Sequence, residues 1–130
     1  MRRQSRELAL QILFQTEFSP QILLSELIHV FETTADKSTL DYTENLIQGV
    51  KTHKKEIDAA IQANSSHWKI DRMALVDRNI LRLATFEMKW AAEPVKPNIV
   101  INEAVEIAKK YGTTESASFI NGILDQVSKS

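Results

Sequence analysis

The chain has no cysteine, which excludes disulfides, thiolate nucleophiles and cysteine-ligated zinc. Three glycines and three prolines in 130 residues leave little material for glycine-rich phosphate loops or for a β-rich fold dense in tight turns. No run of about 18 apolar residues is present, so no membrane span is expected. The opening Met1-Arg2-Arg3-Gln4-Ser5-Arg6 leads into an amphipathic stretch, not into the apolar core of a signal peptide. A net charge of −1 selects no partner class in bulk. What is there, 43% hydrophobic and 25% charged residues, is the composition of one soluble domain with a core of its own and a cytoplasmic setting as the default.

Catalytic and cofactor chemistry lack their residue patterns. His29, His53 and His67 fall on separate expected elements without ligand spacing, and the pair of Glu-x-x-His motifs that a di-iron bundle needs is absent. No Walker loop, dinucleotide fingerprint or nucleophile elbow occurs. No enzyme activity, metal or cofactor is therefore expected.

Charge is unevenly placed. Residues 1–16 hold Arg2, Arg3 and Arg6 against Glu7, whereas residues 19–48 hold Glu26, Glu32, Asp36, Asp41 and Glu44 against Lys37 alone. A cationic contact surface near the start and a solvated acidic face elsewhere follow from that asymmetry.

Apolar residues recur at helical spacing almost throughout, which predicts an all-α domain of about seven helices. The first runs from about Arg3 to Phe18 on a stripe of Leu8, Ala9, Ile12 and Leu13. Ser19 and Pro20 read as cap and first residue of a second helix, with Leu23, Leu24, Leu27, Ile28 and Phe31 buried. Ser38 and Asp41 form a weak capping box for a third helix, with a break or bend at Gly49 and His53. A fourth helix from about His53 to Ala63 buries Ile57 and Ile61. Asp71 caps a long fifth helix to about Trp90, with Met73, Val76, Ile80, Leu83 and Ala84 inside and Arg78, Arg82 and Lys89 on the far side. Beyond the breaks at Pro94 and Pro97, a sixth helix ends on Lys109 and Lys110, with Gly112 as a left-handed cap. The last, about Glu115 to Val127, stacks Phe119, Ile120, Ile123, Leu124 and Val127, and Gly122 permits a close helix crossing. Two small bundles in one domain result, about residues 1–66 and 67–130, with a seam near Trp68 to Asp71.

Helical wheels select the residues that bear on function. With Arg2 at zero, Arg6, Leu10, Arg3 and Phe14 fall at roughly 40°, 80°, 100° and 120°, beside the core stripe. Guanidiniums and an aromatic ring on one edge suit single-stranded nucleic acid, since the former pair phosphates and the latter accepts unstacked bases. The alternative is a solvated Arg6 and a core Phe14. On the fifth helix Asp77 and Glu87 lie about 40° to either side of Met73, within the apolar arc, where a carboxylate must be paired, protonated or covered. Glu87 reads as a buried acceptor for a neighbouring helix start, Asp77 as either an internal pair or a partner contact. Tyr111 and Phe119 flank the last connection, either packed in the core or, with Lys109 and Lys110, extending a basic aromatic strip.

Three blocks carry a family resemblance. The first is Arg2-Arg3-x-x-Arg6-Glu7-Leu8-Ala9-Leu10-Gln11-Ile12-Leu13-Phe14, and the second Asp77-Arg78-Asn79-Ile80-Leu81-Arg82-Leu83-Ala84-x-Phe86-Glu87-Met88. The third runs Ile101-Asn102-Glu103-Ala104-Val105-Glu106-Ile107-Ala108-Lys109-Lys110-Tyr111-Gly112 and continues Ser116-x-x-Phe119-Ile120-Asn121-Gly122-Ile123-Leu124-Asp125. In this order, across essentially the whole chain, they resemble the NusB family of transcription antitermination factors.

The resemblance implies an all-helical fold of two subdomains, no enzymatic activity, and a cytoplasmic role. It implies binding to single-stranded boxA RNA of ribosomal RNA transcripts together with the small-subunit ribosomal protein NusE. Through that pair it implies indirect contact with other Nus factors and RNA polymerase, and suppression of premature termination. Arg2, Arg3 and Arg6 correspond to the family's arginine-rich helix, for phosphate and base contact, and Phe14 to its aromatic position. Tyr111 and Phe119 correspond to positions that stack RNA, Glu115 to an acidic position that modulates RNA binding, and Asp77 to an acidic contact with the ribosomal protein. The chain departs from the family in having fewer arginines than some members and no lysine-rich extension. With about three phosphates neutralised, roughly 20-fold of affinity is lost from 50 to 200 mM salt. A composite RNA surface shared with the ribosomal protein is therefore expected. A second reading is a helical dimerisation module whose basic helix is buried in a self-interface. A third, the related domain that precedes a ribosomal RNA methyltransferase, is disfavoured because no cofactor-binding domain follows Ser130.

Overall fold

The computed structural model describes residues 2–31 and 34–130. Seven helices appear among the described residues: α1 Arg2–Phe18, α2 Leu24–Phe31, α3 Lys37–Thr52, α4 Lys54–Ala63, α5 Leu75–Lys89, α6 Pro97–Tyr111 and α7 Ser116–Lys129. A single 3-10 turn, Ile70–Arg72, precedes α5. No strand occurs among the described residues, and the expected all-α class holds.

α5 is the axis of the molecule. Ten consecutive residues, Asn79 to Met88, are buried, because α1, α3, α4, α6 and α7 all pack against it. A helix covered all round reads poorly on a wheel. Arg82, expected on a solvated far side, lies under α4 and the end of α1, where Asp58 accepts from it at 2.8 and 3.1 Å. Glu17 at the end of α1 pairs with both Arg82 and Arg78.

α1 lies along α3 through a buried hydroxyl seam. Ser5 Oγ donates to the Thr39 carbonyl at 2.9 Å, as does Thr43 Oγ1 at 2.8 Å. Gly49 does not break α3; it makes room. A Cβ there would stand 2.1 Å from the Phe86 ring of α5, so glycine permits that approach. The chain turns at His53, which lies between the Phe86 and Trp90 rings at 6.3 and 6.2 Å.

Several expected boundaries are corrected. Residues 19–22 form a turn, closed by Ile22 N–H to the Ser19 carbonyl at 3.1 Å, and α2 begins only at Leu24. Leu23 is therefore 62% exposed instead of buried, while Leu24, Leu27 and Ile28 pack on the core edge. The expected burial of the Phe31 side chain lies outside what the structure describes. Asp36, not Ser38, caps α3: its carboxylate accepts from Thr39 N–H at 2.8 Å, and that bond holds its pKa below the usual range. Asp71 sits in the 3-10 turn, and α5 starts after Ala74 without a side-chain cap. Pro97 is the first residue of α6, not a break before it. Gly112 is extended at φ −98° and is no left-handed cap; Ser116 Oγ accepts from Thr113 N–H at 2.9 Å to open α7. Gly122 faces open space and mediates no helix crossing.

Candidate nucleic-acid interface

The start of α1 meets α3, α5 and α6 in a charged network. Arg6 is only 6% exposed, and Glu87 of α5 accepts from its Nε and Nη2 at 2.7 and 2.8 Å. Tyr42 of α3 donates to the same carboxylate at 2.6 Å. Burial works against the Arg6 charge, but the Glu87 bonds and charge more than offset it and raise the pKa. Burial, then the bond to Glu87, pushes the Tyr42 phenol up to about 12.

Outside this buried pair lie the two remaining arginines. The Arg2 guanidinium carbon stands 4.3 Å from the Tyr42 ring centroid, and its Nη1 donates to the Tyr42 hydroxyl at 3.2 Å. Arg3 donates twice to Glu103 of α6, at 2.7 and 2.6 Å, which holds the Glu103 pKa low. Arg6 Nη1 reaches the same Glu103 at 3.3 Å.

The end of α6 continues this face. Lys110 Nζ and the Tyr111 hydroxyl both donate to Glu7 of α1 at 2.7 Å, and Gln11 donates to Tyr111 at 3.1 Å. Burial alone would raise the Glu7 pKa; the bonds from Lys110 and Tyr111 reverse that and lower it. Lys109 pairs with Glu106 at 3.0 Å. Arg2, Arg3, Lys109 and Lys110 are all exposed, with Tyr111 half-buried among them. Arg3, Lys109 and Lys110 pair with acids at the exposed edge, where an ion pair contributes little, so a polyanion can take the place of those acids.

The single arginine and aromatic edge expected on α1 is corrected on two counts. Arg6 is an internal strut, which leaves two exposed guanidiniums on α1 instead of three. Phe14 belongs to the other end of the helix, stacked on Phe18 with centroids 6.2 Å apart and planes 7° apart. The aromatic beside the arginines is Tyr42. Glu87 is a buried acceptor as expected, but its donors are side chains and not a helix start.

The remaining expected residues gather elsewhere. Phe119 meets Trp68 edge-on, with centroids 6.2 Å apart and planes at 89°. Glu115 and Asp77 share with them a recess of about 310 Å³. Asp77 makes no ion pair or hydrogen bond among the described residues, which removes the internal-pair alternative. Sequence reasoning missed Tyr42, Glu103, Trp68 and Phe18. Only Trp68 carried a signal, as a large aromatic in a polar connection.

Comparison with known proteins bears on this surface. The NusB family matches residues 3–129. The transcription antitermination protein NusB of Bdellovibrio bacteriovorus is 60% identical over 98% of this chain and 95% of its own length. That of Anaeromyxobacter dehalogenans is 45% identical over 97% of this chain and 89% of its own. Among solved structures, T. maritima NusB superimposes with a TM-score of 0.90 at 38% identity, covering 99% of this chain and 91% of that one. A chain in the crystal structure of the antitermination factors NusB and NusE in complex with double-stranded RNA does so at 0.82 and 28% identity, covering 98% and 96%.

Proposed function

The chain belongs to the NusB family, and on that premise we propose that it is a transcription antitermination factor reading boxA RNA of ribosomal RNA transcripts jointly with ribosomal protein NusE. It acts in the cytoplasm as a binding adaptor, reaching RNA polymerase and the other Nus factors through that pair. The observation that carries the reading is the convergence of Arg2, Arg3, Lys109, Lys110 and Tyr111 from two helices on one face, with Tyr42 of α3 beside Arg2. Guanidinium and ammonium groups neutralise phosphates, while a ring nearby accepts an unstacked base. Arg6 serves the site from beneath, sharing the Glu87 carboxylate with Tyr42 and the Glu103 carboxylate with Arg3.

Fluorescence anisotropy of a labelled boxA RNA, with and without NusE at two salt concentrations, tests this. Four phosphates neutralised by these cations give a log–log slope near −3, or about 50-fold weaker binding at 200 than at 50 mM salt. Tightening by NusE and failure on a scrambled RNA are the expected results. Salt-independent binding, or none in either condition, would sink the reading.

A second reading, self-association, is favoured by one observation. Phe18 at the end of α1, Leu23 just before α2 and Val30 near its end are 70%, 62% and 66% exposed, large apolar side chains of the kind a protein surface covers. Sedimentation across concentration separates the two: a chain that stays monomeric removes this second reading, whereas a dimer that NusE does not dissolve supports it.

A further inference from the structure

We propose that Glu7 and Glu103 set the RNA affinity of this face from within: in the free protein their carboxylates occupy the places on Lys110 and Arg3 that RNA phosphates take, so an RNA must displace them to bind. This rests on the RNA-binding reading and adds to it two residues that oppose binding.

Three of the four exposed cations on the face already hold a carboxylate. Arg3 holds Glu103 through both Nε and Nη2, Lys110 holds Glu7, and Lys109 holds Glu106. Arg2 stands against the Tyr42 ring and hydroxyl instead. Four cations against three acids make the face a weak attractor for a polyanion. The Arg3 fork meets the two oxygens of Glu103 as it would meet two oxygens of a phosphate. Both ligands need the same N–H groups, so one excludes the other.

Glu7 and Glu103 are anchored in a way that Glu106 is not. Each has a second donor on its inner side: Arg6 Nη1 reaches Glu103 at 3.3 Å, and the Tyr111 hydroxyl donates to Glu7 at 2.7 Å. Their side chains keep 15% and 22% exposure, against 48% for Glu106, which has no inner donor among the described residues. When RNA takes the outer cation, Glu106 swings into water, whereas Glu7 and Glu103 are kept at the face by Tyr111 and Arg6. There their charge opposes the incoming phosphate. Both stay ionised at neutral pH, since Arg3 holds Glu103, and Lys110 and Tyr111 hold Glu7 against its burial, below the usual carboxylate range. An RNA that offers only phosphates exchanges one anion for another and gains little. One that also brings base contacts, or NusE, gains those in full.

Fluorescence anisotropy of a labelled boxA RNA and of a scrambled RNA of equal length, at two salt concentrations, tests this on the full chain. Glu103→Gln is expected to tighten both RNAs by up to about 5-fold at the lower salt, the scale of one exposed ion pair. It should also steepen the log–log salt slope by up to about 0.7, the share of one phosphate on a single strand. Glu7→Gln acts in the same direction, and Glu106→Gln gains less. Glu26→Gln changes the net charge equally but lies on α2, beyond the far end of α1. That helix is about 25 Å long against a screening length of about 10 Å at 0.1 M salt, so both readouts should stay unchanged. In an Arg3→Ala background the gain from Glu103→Gln should disappear, because no guanidinium is left to release. Unchanged affinity and slope in Glu103→Gln, or an equal gain from Glu26→Gln, would overturn the displacement while leaving the RNA reading standing. Weaker RNA binding by a Glu103→Gln variant of unchanged circular dichroism would make Glu103 a support for Arg3 and overturn it as well. Failure of the unsubstituted chain and of every variant to bind RNA, with or without NusE, would remove both.

Discussion

The two ends of α1 use the same chemistry with the charges exchanged. At its start the cation is on α1 and the acid on α5, as Arg6 and Glu87; at its end the acid is Glu17 and the cations are Arg78 and Arg82 of α5. The first pair is sealed, with side-chain exposures of 7% and 1%, and is overlain by the open pair Arg3–Glu103 at 46% and 22%. At the far end Glu17 keeps 21% exposure and no second layer of arginines covers it; exposed Phe18 follows instead. Burial therefore divides labour among arginines of one motif: the inner one holds helices together and the outer ones remain exchangeable with a polyanion.

The sharpest way to break this contrast is Glu87→Gln. It removes the bidentate acceptor of the buried Arg6 charge, leaving only Glu103 on Nη1, and the charged acceptor of Tyr42, for an expected loss of about 3–5 kcal/mol in urea denaturation. Glu17→Gln, at the more open end, is expected to cost about 1.5–3 kcal/mol, because Asp58 still satisfies Arg82. Equal losses at the two ends would dissolve the distinction.

Proton linkage sharpens it next. Burial opposes the Glu17 charge, but Arg78 and Arg82 lower its pKa; its stabilisation is present above about 4.5, the ordinary carboxylate value, and is lost as pH falls through the depressed value. Glu17→Gln should flatten the acid limb of the stability profile. Tyr42 behaves in the opposite sense: its stabilisation is full below pH 10.0 and lost as pH rises through about 12. In a Tyr111→Phe background its phenolate absorbance should appear only there, and an onset at the ordinary value would mean that the Glu87 contact does not persist in solution.

The smallest effect on stability belongs to Arg3→Ala, within about 1 kcal/mol for an exposed pair. Its effect is on RNA, where the salt slope should fall by about 0.7, the share of one phosphate on a single strand. Glu17→Gln should leave that slope unchanged.

Much of the architecture was legible because the core repeats with a helical period. Ile57 and Ile61, Ala104 and Ala108, and Ile120, Ile123, Leu124 and Val127 are all buried where their spacing places them. Glu87 was legible as a carboxylate in need of a partner. That its partner is Arg6, 81 residues away, was not, because a wheel orders residues around their own helix and is silent on which neighbour covers each side. Arg82 was misplaced for the same reason. Ser19 and Pro20 show the converse: a sound local start signal that forms a turn, with helix deferred to Leu24. Lys109, Lys110 and Tyr111 were legible as a strip; the placements of Tyr42 against Arg2 and of Trp68 against Phe119 were not, since each contact joins distant parts of the chain.

The exchanged charges have a consequence for folding. α1 and α5 run antiparallel, so a chain that docked α1 end for end would bring Glu17 to Glu87 and Arg6 to Arg78 and Arg82. The apolar stripe of α1 would tolerate that reversal, since Leu8, Ala9, Ile12 and Leu13 form a nearly symmetric set. Like charges buried against one another would not. The ion pairs thus act as a direction key, admitting one of two hydrophobically similar arrangements and setting Arg2 beside α3 and Arg3 beside α6.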